Sequence, residues 1–380
     1  MRIALSHIIK EGSPEIEESK LFQHMSVTGS TGRGKTTALL NLVNSLKEIG
    51  TVIVLDPSGS LAGPCRSILK GARYVSKTNP IKLNPLSRPY LSKSEHAREL
   101  IQVINSAVSA FSENPEITVK MRRIMMKAIK EMDYGASMKQ LGLFLDSFSE
   151  REKFFKEKYK GGYKPLFWHE FDMKGYQHDQ TRMTAERISD RIGLFDEMEE
   201  LDGFIKGKNE FDIPLLLEKN QHHIFNLARM DDEVTAIIGA LVVNQVKSYY
   251  LHQAVEYNAK PLFFVIDEIA LFIQDNLSRI LTESRKFNIG FIMSFHGYSQ
   301  INERLAQMVW ANTYTKIYLG GNPDDEESFK NFYKYEIPDL KTHQGVVFIY
   351  LQGHLADMYP PPETEFIPEC SFLRDKWIVV

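Results

Sequence analysis

Residues Gly29-Ser30-Thr31-Gly32-Arg33-Gly34-Lys35-Thr36 spell G-x-x-x-x-G-K-[ST], between a strand pattern at Met25-Ser26-Val27-Thr28 and a helical one opening at Thr37-Ala38-Leu39-Leu40. A glycine-rich turn from strand into helix aims backbone N–H groups inward at phosphate oxygens and sets a helix N-terminus behind them. The setting predicts nucleotide binding by Gly29, Ser30, Thr31, Gly32, Arg33, Gly34, Lys35, Thr36 and Thr37. Lys35 supplies a point charge for the β and γ phosphates, and the Thr36 hydroxyl is placed to ligate Mg²⁺. The expected cofactors are ATP and Mg²⁺.

A phosphate turn of this kind needs a sheet behind it, and the chain supplies one. Continuous apolar runs at Thr51–Leu55, Leu262–Ile266, Ile289–Met293 and Val346–Tyr350 predict strands buried on both faces of a parallel sheet. Helices to cover them are expected from Lys35 to Ile49, with Gly50 as the C′ residue, and from Asp232 to about Tyr250. In the latter Val234, Ile237, Ile238, Leu241 and Val242 form one stripe. Helical patterns at Ser92–Phe111, Glu116–Met132, Ser137–Phe148 and Gln180–Met198 have few strand signals among them. The expected organisation is therefore a core in two parts, 1–86 and 206–380, with a mostly helical insertion at 87–205.

Composition narrows the setting. A formal charge of −3 removes any global basic field, so a nucleic-acid contact has to be local. Cys65 and Cys370 are the two cysteines and lack metal-ligand spacing, which fits a reducing compartment. The first ten residues are too interrupted for a signal peptide and no run approaches 18 apolar residues, so a cytoplasmic protein with no membrane segment of its own is expected.

The second half of the site follows Leu262–Ile266, an apolar strand that ends in Asp267-Glu268. Asp267 is expected to hold the Mg²⁺ shell and Glu268 to polarise the attacking water as general base, which favours hydrolysis over transfer to a small molecule. The strand Asn288–Ser294 leads to Phe295-His296, and His296 is either a γ-phosphate sensor at the strand tip or an ordinary surface or core histidine. Arg285 ends the pattern Asn276–Lys286, in which Leu277, Ile280 and Leu281 share a face. It either complements the helix dipole or reaches a neighbouring subunit's ATP as an arginine finger.

Several segments together resemble the HerA/FtsK superfamily of ring-forming DNA motor ATPases, above all its HerA and conjugative coupling-protein branches. They are His24 through Thr37, Asp56-Pro57-Ser58-Gly59, Asn84-Pro85-Leu86, Val265 through Glu268, Glu283 through Gly290, and Asn312 through Ile317. The resemblance implies a RecA-like P-loop fold, a hexameric homo-oligomer, and Arg285 acting in trans. It implies double-stranded DNA threading the pore, with a nuclease, transfer or packaging protein as a further partner. The family's usual T-Q pair at the third strand tip is Phe295-His296 here, and only 23 residues precede His24, so any anchor is expected from a partner.

Three segments offer cations for DNA. In one, Arg182, Arg187 and Arg191 read either so or as local ion pairs with Glu186 and Asp190. The pattern Glu116–Met132 sets Lys120, Arg123, Lys127 and Lys130 on one face, either tracking phosphates or merely solvated. Arg151–Lys164 interleaves five lysines with Phe154, Phe155, Tyr159 and Tyr163, and reads either as a mobile loop or as a helix with a core stripe. The function expected overall is ATP-driven translocation of double-stranded DNA; a motor for protein assembly or secretion is the alternative.

Overall fold

The computed structural model describes residues 2–4, 15–87, 91–109, 117–173, 176–253, 260–272, 277–349 and 352–357. Phe111, Glu116, Asn276, Tyr350 and Cys370 lie outside these residues, as do the side chains of Leu277 and Ile280. A short ladder pairs β1 (Arg2–Ala4) with β2 (Glu15–Glu17). The remaining strands are β3 (Met25–Thr28), β4 (Thr51–Asp56), β5 (Arg73–Val75), β6 (His223–Asn226), β7 (Leu262–Ile266), β8 (Ile289–Phe295), β9 (Thr315–Tyr318), β10 (Gln344–Ile349) and β11 (Gln352–Asp357). They form one sheet in the order β11-β10-β9-β3-β8-β7-β4-β6-β5. From β9 to β5 every pairing is parallel.

Alternation explains the apolar runs. Val52, Val54, Phe263 and Val265 face a core shared with the helix Lys35–Leu46, whereas Ile53, Leu55, Phe264 and Ile266 face a second core. That second core contains the helix Asp232–Gln253 and the helices between residues 93 and 218. With both faces covered, a strand has no side on which to place polar residues.

Three expectations change. Of the run at 346–350, residues 346–349 belong to β10, which is antiparallel to both β9 and β11, so it closes the sheet's edge rather than extending the parallel set. Gly50 is not a left-handed C′ residue: the helix ends at Leu46, and a Cβ at Gly50 would meet the Pro261 carbonyl oxygen at 2.4 Å. Close strand approach requires that glycine. The single stripe at 234–242 is too narrow, since Thr235, Ala236, Gln245 and Ser248 are buried as well. The helix lies between sheet and insertion. Asp232–His252 is also long and apolar enough to span a membrane by length and composition, and 83% of its most apolar window is buried inside the protein.

The helical segment is fastened to the sheet rather than hung from it. Buried Asn84 donates to the carbonyls of Gly135, Ala136 and Gly207 and accepts from the Leu86 backbone, so one amide ties the entry, the middle and the exit of the insertion. Residues 151–164 are a helix through Lys158, with Phe155 in the core. Ser147 caps it and so splits the pattern expected at 137–148 into two helices. Lys158 pairs with Glu131, and Lys164 with Glu152 and Asp172, so the mobile-loop reading gives way to the helical one.

Candidate active site

β3 delivers the phosphate turn at the carboxyl edge of the sheet, and its backbone is forced open by neighbours. A Cβ at Gly34 would meet the His343 ring at 2.7 Å, and Gly34 itself has φ 103°, a left-handed conformation that glycine adopts without strain. Ser30 N–H donates to the Gly320 carbonyl, and its hydroxyl to the Gly321 carbonyl at 2.6 Å, so the turn is braced by the loop after β9. Arg33 turns its guanidinium away to the Leu340 carbonyl and enters the turn only through its backbone. Thr37 is buried in the first helical turn, and Thr36 is half-buried.

Lys35 donates to the carbonyls of Gly29 at 2.7 Å and Ser30 at 3.3 Å, and its Nζ lies 3.1 Å from His296 Nδ1. The other ring nitrogen, Nε2, lies 3.3 Å from Glu268 Oε2. A lysine, a histidine and a glutamate thus form one chain across the edge formed by β3, β8 and β7. Burial lowers the Lys35 pKa, against the pull of Asp267 and Glu268, and burial raises that of Glu268, against the pull of His296. Glu268 also has φ 52°, a conformation costly for a side chain with a Cβ, found where function holds a residue in place.

Asp267 is built differently. Buried Ser294 of β8 donates to Asp267 Oδ1 at 3.0 Å, whereas Oδ2 has the hydroxyls of Ser58 and Ser60 at 3.4 and 3.5 Å. Those two are long for hydrogen bonds, which leaves one carboxylate oxygen with capacity for a cation. The serines come from the turn after β4, whose shape is set by buried Asp56. Its Oδ1 accepts from the N–H groups of Ser58 and Gly59, and its Oδ2 from those of Leu61 and Ala62. The fit to a divalent cation and triphosphate is good: an ammonium, a hydroxyl at a helix start, and two carboxylates converge on one edge.

The parts that Ser294, Ser58, Ser60 and Asp56 play around Asp267 escape the sequence reading, in which Asp56 and Ser58 figure only as members of a motif. The available signal was Ser294 itself, the only hydroxyl in the buried strand Ile289–Phe295, because a polar atom buried on both sides must find a partner.

Arg285 is not with these residues. It is exposed in the 3₁₀ turn Arg285–Phe287, directly before β8 begins, whereas His296 directly follows the end of that strand. Seven residues at about 3.3 Å each put roughly 20 Å between them. At its own edge Arg285 lines an open groove of about 560 Å³ with His24, Trp310, Tyr314 and Lys316. Of the cations singled out for DNA, Arg123 and Lys127 lie over the Phe167 ring at 6.0 and 5.3 Å, and Lys120 is exposed.

The family model for the central domain of the helicase HerA matches residues 16–246, more than half of the chain. The model for the TraM recognition site of TraD and TraG matches residues 261–333. No curated protein matches. Among solved structures, the chain is similar to the bacterial conjugative coupling protein TrwBdeltaN70 in its unbound form, with TM-score 0.67, 16% identity, and 93% of this chain and 87% of that one covered. Plasmid coupling protein TrwB in complex with ADP and Mg²⁺ gives 0.67 at 15% identity, covering 95% and 94%. VirB4 of Thermoanaerobacter pseudethanolicus gives 0.62 at 16%, covering 95% and 96%. These structures share the RecA-like sheet with its flanking helices; at such identities the likeness concerns the fold.

Proposed function

Since this chain belongs to the HerA family of P-loop ATPases, we propose that it is an Mg²⁺-dependent ATP hydrolase that translocates double-stranded DNA through a homo-oligomeric, hexameric ring. One observation carries the reading: Arg285 stands at the opposite edge of the sheet from Lys35 and Glu268, out of reach of its own site and available to a second copy's. Segments 1–86 and 206–380 form the motor core and 87–205 the helical insertion.

Lys35 and the backbone of the phosphate turn hold the triphosphate; Thr36 and Asp267 are the residues that would hold Mg²⁺, with Ser294 fixing the Asp267 carboxylate. Bound there, the cation supplies charge neutralisation for the departing phosphate. Glu268 takes a proton from the attacking water, a task suited to a carboxylate whose pKa is raised by burial. His296 sits where it senses the γ-phosphate, between Lys35 and Glu268. Arg285 of the adjacent subunit stabilises charge developing on the transferring group, a contribution worth about 10³–10⁵ in rate where such residues occur.

Support for DNA as the substrate comes from the family and from the coupling proteins that share the fold. The rival, a motor acting on protein, is favoured by Lys158 and Lys164 being consumed in ion pairs rather than displayed. Adding linear duplex DNA to the ATPase assay separates the two. Several-fold stimulation that fades with salt supports the DNA motor, and indifference to DNA refutes it. For the ring, mixtures of Glu268→Gln and Arg285→Ala chains should regain activity through composite interfaces. Normal hydrolysis by Arg285→Ala alone would remove the trans finger.

A further inference from the structure

His24 stands at the head of the strand that becomes the phosphate turn, at the end of that strand remote from Lys35 and Glu268. It is 1% exposed and has φ 61°. Its Nδ1 lies 3.1 Å from the backbone N–H of Phe291 in β8, which has a proton to give, so Nδ1 accepts. The proton is therefore on Nε2, which donates to the Leu281 carbonyl at 2.7 Å. Burial pulls the imidazole pKa down to about 4, so this neutral tautomer persists at working pH.

Leu281 lies four residues, one helical turn, before Arg285, in the helix Leu277–Ser284. Its carbonyl belongs to the last turn of that helix, where the Ser284 hydroxyl also donates to it, at the longer distance of 3.4 Å. A single ring thus joins the root of the phosphate strand, the strand that leads to His296, and the helix end that presents Arg285.

We propose that His24 is a positioning residue: through Leu281 it fixes the helix end from which Arg285 reaches the adjacent subunit's nucleotide, and so ties that reach to the phosphate strand of its own subunit. The inference rests on Arg285 acting in trans. It concerns the two bonds separately, and two substitutions part them. His24→Asn puts an amide oxygen at the position of Nδ1, keeping the Phe291 bond and cutting the link to Leu281; asparagine also accepts the left-handed backbone. His24→Gln reaches the position of Nε2 with an amide N–H, keeping the Leu281 bond and cutting that to Phe291.

The expected result is that His24→Asn loses roughly ten- to a hundredfold in kcat, the order expected when a catalytic group is displaced by about 1 Å. ATP affinity and thermal midpoint should stay near those of His24→Gln, which itself hydrolyses within a few-fold of the unmodified chain. Deuterium uptake at 281–287 should rise in His24→Asn alone. Equal activity of the two variants overturns the inference, and so does a His24→Asn chain that cannot be recovered folded, because the bond would then serve the fold and not the finger. If Arg285→Ala is inactive while His24→Asn is normal, only the positioning role fails; if Arg285→Ala is normal, the trans reading beneath it has failed.

Discussion

Ser294→Ala removes one oxygen from a site where that atom has no substitute. The hydroxyl is fully buried and donates to Asp267 Oδ1 at 3.0 Å, and the residual contacts of that carboxylate are the Ser58 and Ser60 hydroxyls on the other oxygen at 3.4 and 3.5 Å. Hydrogen bonds to charged groups contribute about 1.5–3 kcal/mol, so the variant should lose about 2 kcal/mol of stability. Unfolding entropy of about 2.1 cal/mol/K per residue gives roughly 0.8 kcal/mol/K for the whole chain, and hence a midpoint lower by only about 2–3 °C. The functional effect should be larger. Outer partners that orient a metal-ligating group typically change metal affinity by about 10–100-fold, so the Mg²⁺ concentration for half-maximal ATPase activity should rise by that factor. Saturating Mg²⁺ should then restore most of kcat. A Mg²⁺ titration of the ATPase beside a melting curve tests both numbers. An unchanged half-saturation point would show that Asp267 does not depend on Ser294, and the assignment of Asp267 to the cation would lose its structural support.

Other consequences are simpler to read. Glu268→Gln should bind ATP without turning it over, measured as retained nucleotide after gel filtration. Because burial raises the folded-state pKa of Glu268, its charged form costs stability above that pKa and the cost disappears below the unfolded carboxylate value. The glutamine variant should therefore melt higher at pH 8 and lose that advantage near pH 4. Lys316, buried over the Trp310 ring with its ammonium on the Thr313 carbonyl, has its pKa pulled down to about 8. Its penalty is present below pH 8 and relieved as pH rises toward the unfolded value, so Lys316→Met should gain stability at pH 7 and less at pH 9. Gly50→Ala should lower the midpoint markedly, since its Cβ would sit 2.4 Å from the Pro261 carbonyl oxygen, a backbone atom that cannot swing aside.

The chemistry along the chain was legible because it is local. The turn Gly29–Thr36, the strand ending in Asp267-Glu268 and the two-sided apolar runs each depend on residues close in sequence, and periodicity records which faces are buried. The short strands β5, β6 and β9, with three or four residues each, carry too little pattern to stand out. Likewise the lysines at 158 and 164 read as free cations until their carboxylate partners arrive from other helices.

By itself, then, the order of residues determined that this is a P-loop α/β chain, and it singled out the lysine, threonine and acids proposed for the phosphate site, since those are matters of adjacent chemistry. Tertiary structure alone decided the rest. It set β8 between β3 and β7, so that Ser294 reaches Asp267 and His296 bridges Lys35 to Glu268, and it ran β10 against the parallel set. It also placed Arg285 at the far end of β8 with His24 behind its helix, because the two ends of a strand face opposite edges of a sheet and no sequence spacing tells which edge a neighbouring chain will meet.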